Sequence, residues 1–487
     1  QKFRLFSLSN KKNMIPMIIL FKSMYCFLFI WAIGHVLLSF YKSDSSNVFL
    51  NNLLKLFIGI ISIVVVYSLI TAKLITVNLS ITSVIIYFLI VKRSHFKFDK
   101  KKLLNIDFSS LFLCLFIFLV YSVFWSSQIS PTEGGMYSFP WLDTAFYSKI
   151  SLGLGTTGLE NTNSVLFQHS NVEGIQLYHY FDLWLNSFLS NVSFNSSYVT
   201  LYTITYPLII SMIYLGLISL FSFKKLNVFI IVLVFLLPFA LSIPLENFSS
   251  LFSSFGLNVN IGNVYGHKTL TNYLLVLLSA LYIMKGKYFE SIIFLTICLT
   301  VYSTTIVGLV PACIVLISYQ FYRKKGNVIH GLGVLLITAF ILFILFYFNS
   351  DPNVISADLI IHRSGKQILI IFIEYMLTYT IPFSPVYLSF IYLMILDFRS
   401  KKGVRFPLVL FLVILITCLI ATCLFSALFH GNLNISQSIS NIIPCFYLAI
   451  MALIISEFYT DYTTKTPIII GVFVVLSGIT MVNNYKI

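Results

Sequence analysis

Apolar residues in this chain come in long unbroken runs, not in alternating or one-faced patterns. Stretches such as IIVLVFLLPFALSI (Ile230 to Ile243) carry no charge at all. Runs of about 20 such residues match the ~30 Å hydrocarbon slab when coiled as helices, and a helix satisfies its own backbone groups where lipid cannot. A membrane β-barrel would instead show alternating segments of ~10 residues. The pattern predicts spans near 20–41, 53–70, 75–91, 108–125, 199–221, 228–243, 270–284, 289–302, 304–322, 328–348, 382–398, 407–429, 439–458 and 467–482. A further apolar stretch, 368–381, is predicted to lie in the interface or to cross at a tilt. The expected fold is therefore an all-α, polytopic transmembrane helical bundle of about 13–14 spans. Transmembrane helices fill 1–125, a large loop occupies 126–198, and a second set of helices with shorter loops fills 199–487. The first apolar run leads straight into further spans, so no cleavable leader is expected.

Composition agrees with this pattern. Only 10% of the 487 residues are charged and 58% are hydrophobic, against about 25% charged in a soluble domain. The formal charge is +15, from 31 basic and 16 acidic residues. In a soluble protein that balance would suggest nucleic acid. Here the basic residues cluster in short connectors, the positive-inside signature, and no basic and aromatic groove argues for a nucleic-acid partner. The seven cysteines (Cys26, Cys114, Cys298, Cys313, Cys418, Cys423 and Cys445) all fall in apolar runs without metal spacing or a loop disulfide framework. They read as small core hydrophobes.

The connectors set the orientation. Lys92 to Lys102 (KRSHFKFDKKK) is the strongest, followed by Lys224-Lys225, Lys285-Gly286-Lys287, Arg323-Lys324-Lys325 and Arg399 to Arg405 (RSKKGVR). Placing all of them in the cytoplasm puts 126–198, 244–269, 349–381 and 430–438 outside, provided 368–381 does not cross. The N-terminal part conflicts with this count. Three spans before Lys92 put the N-terminus outside, whereas Lys2, Arg4, Lys11 and Lys12 favour inside.

Most of the unusual polar chemistry lies in the loop of about seventy residues from Ser126 to Tyr198. It reads PWLDTAFYSKISLGLGTTGLEN (Pro140 to Asn161) and then EGIQLYHYFDLWLNS (Glu173 to Ser187). Asp143 and Tyr147 stand four apart on one helical face, on a helix suited to lie flat on the membrane. A carboxylate there can take a proton from an acceptor hydroxyl or serve as a helix N-terminal cap. His179 and Asp182 share a helix side three apart. They read as an acid orienting an imidazole, as part of a metal site, or as the polar stripe of an interfacial helix anchored by Tyr178, Tyr180 and Trp184. GLGTTGLEN lacks the GxxxxGK[ST] phosphate pattern and reads as a helix C-cap and turn. Arg363, the only arginine assigned to the external face, and Lys366, in IIHRSGKQ, suit a phosphate or pyrophosphate. His267 and Lys268, just before a span, add positive charge or anchor at the interface. His35, within an apolar span, suggests either function or a hydrogen bond to a neighbouring helix. No HExxH or DxD motif supports a metal, so no cofactor is assigned.

WLDTAFYSKISLGLGTTGLEN followed by LYHYFDLWLNS resembles the first large external loop of multi-spanning GT-C-type glycosyltransferases, over the segment from Phe108 to about Phe223. Those enzymes carry an Asp or Glu just beyond a span, flanked by amphipathic helices. The resemblance implies a lipid-linked sugar donor (a polyprenyl phosphate) and transfer to a glycan, lipid or protein acceptor on the external face. It implies residence in the bacterial inner membrane. Asp143 would match the acceptor-activating acid and Arg363 a basic residue holding the lipid phosphate. This chain departs from the family in lacking DxD and in placing several spans before the loop. An O-antigen-type polysaccharide polymerase leans on several external arginines, and only one is assigned here. A transporter or flippase needs charged or broken-helix sites at mid-membrane depth. A noncatalytic membrane subunit of a larger complex requires no site.

Overall fold

The computed structural model describes residues 2–41, 47–73, 76–104, 106–127, 142–162, 180–221, 269–302, 305–323, 328–349, 364–403, 405–429 and 433–462. These residues are helical almost throughout, and the only strand-like contact among them is an isolated bridge between Tyr41 and Phe96. Among the described residues, seven helices are long and apolar enough to cross a membrane, or eight if one bent pair is a single span. The protein is an integral membrane helical bundle. The predicted spans 228–243 and 467–482 lie outside the described residues. The chain divides into two compact units, Gln1–Leu215 with Ala339–Val354, and Gly216–Thr338 with Ile355–Ile487.

Unit 1 begins with α1 (Lys2–Ser39) and α2 (Val48–Thr71). Glycines bring their backbones together: a Cβ on Gly59 would stand 2.2 Å from the Ile30 carbonyl oxygen, and one on Gly34 would overlap the Lys55 carbonyl. Small residues at a helix crossing are the usual route to close packing in lipid. α3 (Asn78–Val91), the short α4 (Lys100–Leu104) and α5 (Phe108–Ser127) follow. Asn52 accepts from Trp31 Nε1 at 3.0 Å and donates to Ser110 Oγ at 2.7 Å, tying α1, α2 and α5 together. His35 Nε2 donates to the Leu103 carbonyl at 3.0 Å, and its ring stacks on Trp31. It therefore holds a neighbouring element, the second of its two readings.

Two sets of contacts mark the ends of the N-terminal helices, of which α1 and α2 are long and apolar enough to cross a membrane. The backbone N–H groups of Lys97 and Asp99 donate to the carbonyls of Phe40 and Ser39, at the C-terminal end of α1. Lys22, near the start of the apolar part of α1, donates to Asn195 Oδ1 at 2.9 Å, just beyond the loop helices. Seventeen residues separate Lys22 from Ser39, about 26 Å at 1.5 Å per residue. The basic connector and the loop helices thus occupy opposite ends of unit 1, with α1, α2 and α3 each running between them. α3 manages this with only 14 residues.

α6 (Leu142–Thr157) and α7 (Phe181–Ser193) are the helices of the large loop, and α8 (Ser197–Leu220) is the span that follows. α8 contains a π-helical turn, Leu201–Thr205.

Unit 2 contains α9 (Leu270–Met284), α10 (Tyr288–Val301) and α11 (Ile306–Tyr322). α12 (Val328–Asn349) contributes residues to both units. α13 (Gly365–Thr380), α14 (Ser384–Arg399), α15 (Phe406–Leu428) and α16 (Leu433–Asp461) complete it. α13 and α14 are bent by 68°. Tyr447 of α16 secures the break, its hydroxyl donating to the Tyr379 carbonyl at 2.8 Å while its ring stacks on Phe383 at 3.9 Å. Among the described residues, the basic connectors of this unit gather at one end. Tyr288, beside Lys287, packs on Tyr319, and Arg323 lies 5.0 Å over the ring of Phe406, next to Arg405. All seven cysteines are buried and unpaired by disulfides, as small core residues.

Candidate functional site

The described parts of the loop that carries the sequence-predicted acid, 142–162 and 180–198, form a packed helical layer in unit 1. α6 buries Thr144, Tyr147, Ser148, Ile150, Ser151 and Leu154 along one side and exposes Lys149 and Leu152 on the other. The helix runs on through Gly153 and Gly155 and stops at Thr157, within the Gly-rich string read as a C-cap and turn. Gly158, with φ +68°, makes the left-handed exit that glycine adopts without penalty. Gly155 serves packing: a Cβ there would meet Ser187 Oγ of α7 at 2.5 Å.

Asn186 is the hub between α6, α7 and α8. Its amide nitrogen donates to Ser151 Oγ at 2.9 Å and to the Ser197 oxygens at 2.9 and 3.1 Å, and its oxygen accepts from Thr205 Oγ1 at 2.8 Å. The Ser151 hydroxyl in turn donates a hydrogen bond to the Leu183 carbonyl, and the Ser197 hydroxyl donates one to the Ser148 carbonyl. A buried network satisfied in this way fixes one arrangement of its helices.

The π turn of α8 supplies three more contacts. Tyr202 donates to Thr144 Oγ1 at 3.0 Å, gripping the first turn of α6 next to Asp143. The Thr203 carbonyl accepts from Ser122 Oγ at 2.6 Å and from Ser23 Oγ at 3.3 Å, which joins α8 to α5 and α1. Single π turns inside helices are frequent at functional sites.

Glu160 lies just past the end of α6 and is fully enclosed. Its Oε1 accepts from Thr76 Oγ1 at 2.5 Å and from Trp184 Nε1 at 2.7 Å, and its Oε2 from the Val77 N–H at 2.7 Å. Burial raises its pKa, and the three donors partly oppose that rise. The same surroundings, with Glu160 close by, raise the Tyr180 phenol. One carboxyl group therefore joins the α2–α3 turn to α7 and to the end of α6. A backbone bond from the Lys73 N–H to the Gly158 carbonyl, 3.0 Å, reinforces the junction.

The structure places the predicted site residues as follows. Asp143 is the second residue of α6. Tyr147 is buried on the same helix, and Asp182 is buried in the first turn of α7, where a helix N-terminus favours an acid. These three belong to one layer of unit 1. Lys366 is exposed in the first turn of α13, in unit 2. His179, His267, Lys268 and Arg363 lie outside the described residues. The interfacial-anchor reading of Tyr180 and Trp184 does not hold: they are 2% and 0% exposed, and Trp184 spends its N–H on Glu160. Sequence reasoning missed Glu160, Trp184 and Asn186 as a connected set. Among the described residues, no group of three or more His, Cys, Asp or Glu is arranged to hold a metal ion.

The sequence matches no protein-family model, and comparison with curated proteins finds no relative.

Proposed function

We propose that this protein is a membrane glycosyltransferase of GT-C-like type that takes a sugar from a polyprenyl-phosphate-linked donor. The observation that carries the reading is the grip of Tyr202 on Thr144. It fixes the first turn of α6, and with it the backbone of Asp143, to an irregular turn of a membrane span. A catalytic carboxylate needs such a fixed base, since misplacement by about 1 Å can cost 100-fold in rate. In the proposed reaction the Asp143 carboxylate takes the proton of an acceptor hydroxyl. The acceptor oxygen bonds to the anomeric carbon, the bond from that carbon to the phosphate oxygen breaks, and polyprenyl phosphate leaves with the electron pair. An O-antigen-type polymerase has no observation here that favours it, and neither does a noncatalytic subunit.

Asp143→Asn keeps the size of the side chain and removes its basicity. The variant is expected to retain the helix content and elution profile of the parent protein while glycan product falls at least 100-fold, the lower end of general-base contributions. Unchanged product formation by a folded Asp143→Asn protein removes the mechanism.

A further inference from the structure

We infer that the connector from Arg93 to Leu104, with Phe108 at the start of the next span, is a binding surface for the headgroups of anionic phospholipids. This inference is independent of the transferase reading. The segment Lys92 to Phe108 carries six basic residues (Lys and Arg) and two acids, Asp99 and Asp107. Asp107 is engaged at the start of the next helix, where it accepts from Ser109 Oγ at 2.6 Å and from the Ser110 N–H at 3.3 Å. The Asp99 carboxylate is turned onto the backbone, where Oδ1 accepts from the Lys102 N–H at 3.3 Å. Arg93, Lys97 and Lys100 are all exposed.

The same segment exposes large apolar side chains. Phe98, Leu104 and Phe108 are 54%, 72% and 72% exposed. Phe98 packs at a tilt on Phe40, with ring centroids 5.0 Å apart, at the end of α1. Phe108 begins a membrane span. Cationic side chains interleaved with apolar ones at the end of a span suit the layer where phosphates meet acyl chains. A free phosphate would use the charges and leave the apolar side chains without a role. The guanidinium of Arg93 adds a planar fork that fits phosphate oxygens.

The connector is also fixed in place. Besides the Tyr41–Phe96 bridge, the N–H groups of Lys97 and Asp99 donate to the Phe40 and Ser39 carbonyls at 2.9 and 3.1 Å. Lys102 Nζ reaches the Tyr41 carbonyl at 3.4 Å. A backbone already ordered loses little entropy when a headgroup binds, which distinguishes this surface from a loose basic loop.

The test uses the full chain in neutral detergent, titrated with phosphatidylglycerol or phosphatidylcholine in mixed micelles, with inorganic phosphate as competitor. Saturable binding of phosphatidylglycerol is expected, at least tenfold tighter than phosphatidylcholine and weakened by salt, because the charges are exposed. The triple variant Arg93→Gln/Lys97→Gln/Lys100→Gln should bind roughly 100-fold more weakly, at about fivefold per charge. Should it fail to fold, the three single variants each lose about fivefold. Phe98→Ser/Leu104→Ser keeps every charge. It should retain the preference for phosphatidylglycerol while losing overall affinity. Equal binding of the two lipids overturns the inference, as does binding of phosphatidylglycerol unaffected by the charge substitutions. Displacement by millimolar phosphate as effective as displacement by lipid also overturns it, because the site would then be one for free phosphate.

Discussion

Glu160 is buried and has three donors aimed at its two oxygens. Burial is the larger influence, so its carboxyl titrates above the ordinary glutamate range in the folded protein. A raised acid means that the folded chain holds a proton that the unfolded chain has released. Its stabilising contribution is full below the unfolded pKa and declines as pH rises through the folded one. Glu160→Gln should lower the apparent melting temperature in detergent, by the equivalent of about 1–3 kcal/mol, since an amide N–H2 must face one of the donors. The deficit relative to the parent should be largest in acid and shrink as pH rises, because the parent alone loses stability along that path. A deficit that grows with pH would mean that the three donors outweigh burial. The sequence showed the acid but not this role. Thr76 is 84 residues away, and the rarity of acids in an apolar chain marks Glu160 without naming its partners. His35 was easier to read, because a lone imidazole in lipid has to find a helix partner.

Span positions were legible because an unbroken apolar run is a one-dimensional signal: 108–125 is observed as Phe108–Ser126, and 407–429 as Phe406–Leu428. The π turn in α8 was not legible. It depends on partners from three other elements, Thr144, Ser122 and Ser23, which meet only in the folded unit. The connector 399–405 was read from charge alone as a topological signal, yet one of its arginines also ties helix ends together. Arg405 grips the carboxylate of Asp397 in α14 with two bonds, 2.5 and 2.8 Å, and also pairs with Glu457 and Asp461 of α16. Tyr462 donates to Asp397 at 2.8 Å, and Lys402 pairs with Asp461 at 3.2 Å. Removing the guanidinium leaves three carboxylates facing one another. Arg405→Ala should therefore cost on the order of 2–3 kcal/mol, less than the roughly 3–5 kcal/mol of a wholly buried pair, because Asp461 is 30% exposed. Asp461→Asn in the same background should recover part of the loss by removing one repelling charge. Thermal melts in detergent measure both, and an Arg405→Ala protein as stable as its parent would reduce this network to surface pairing.

Charge asymmetry is the property that belongs to the molecule as a whole, and it makes sidedness testable. In unit 1 the Lys92–Lys102 connector and the loop helices occupy opposite ends of α1. In unit 2 the connectors at Lys287, Arg323 and Arg405 share an end. The positive-inside rule then places Ser94 and Gly403 in the cytoplasm and α6 outside. All seven native cysteines are buried, so an impermeant maleimide should react with introduced ones before it reaches any of them. Leu152→Cys on α6 replaces a side chain that is 58% exposed, Ser94→Cys lies on the exposed connector, and Gly403→Cys has open space around its Cβ. In sealed vesicles with the native outer face outward, Leu152→Cys should be labelled directly, and the other two only after the membrane is opened. Labelling of Leu152→Cys and Ser94→Cys from the same side contradicts the crossing of α1. Labelling of Gly403→Cys from outside breaks the charge rule for the second unit. The transferase reading depends most on the first result. Nucleotide sugars are confined to the cytoplasm, so a lipid-carried donor is required only if the layer bearing Asp143 faces away from it.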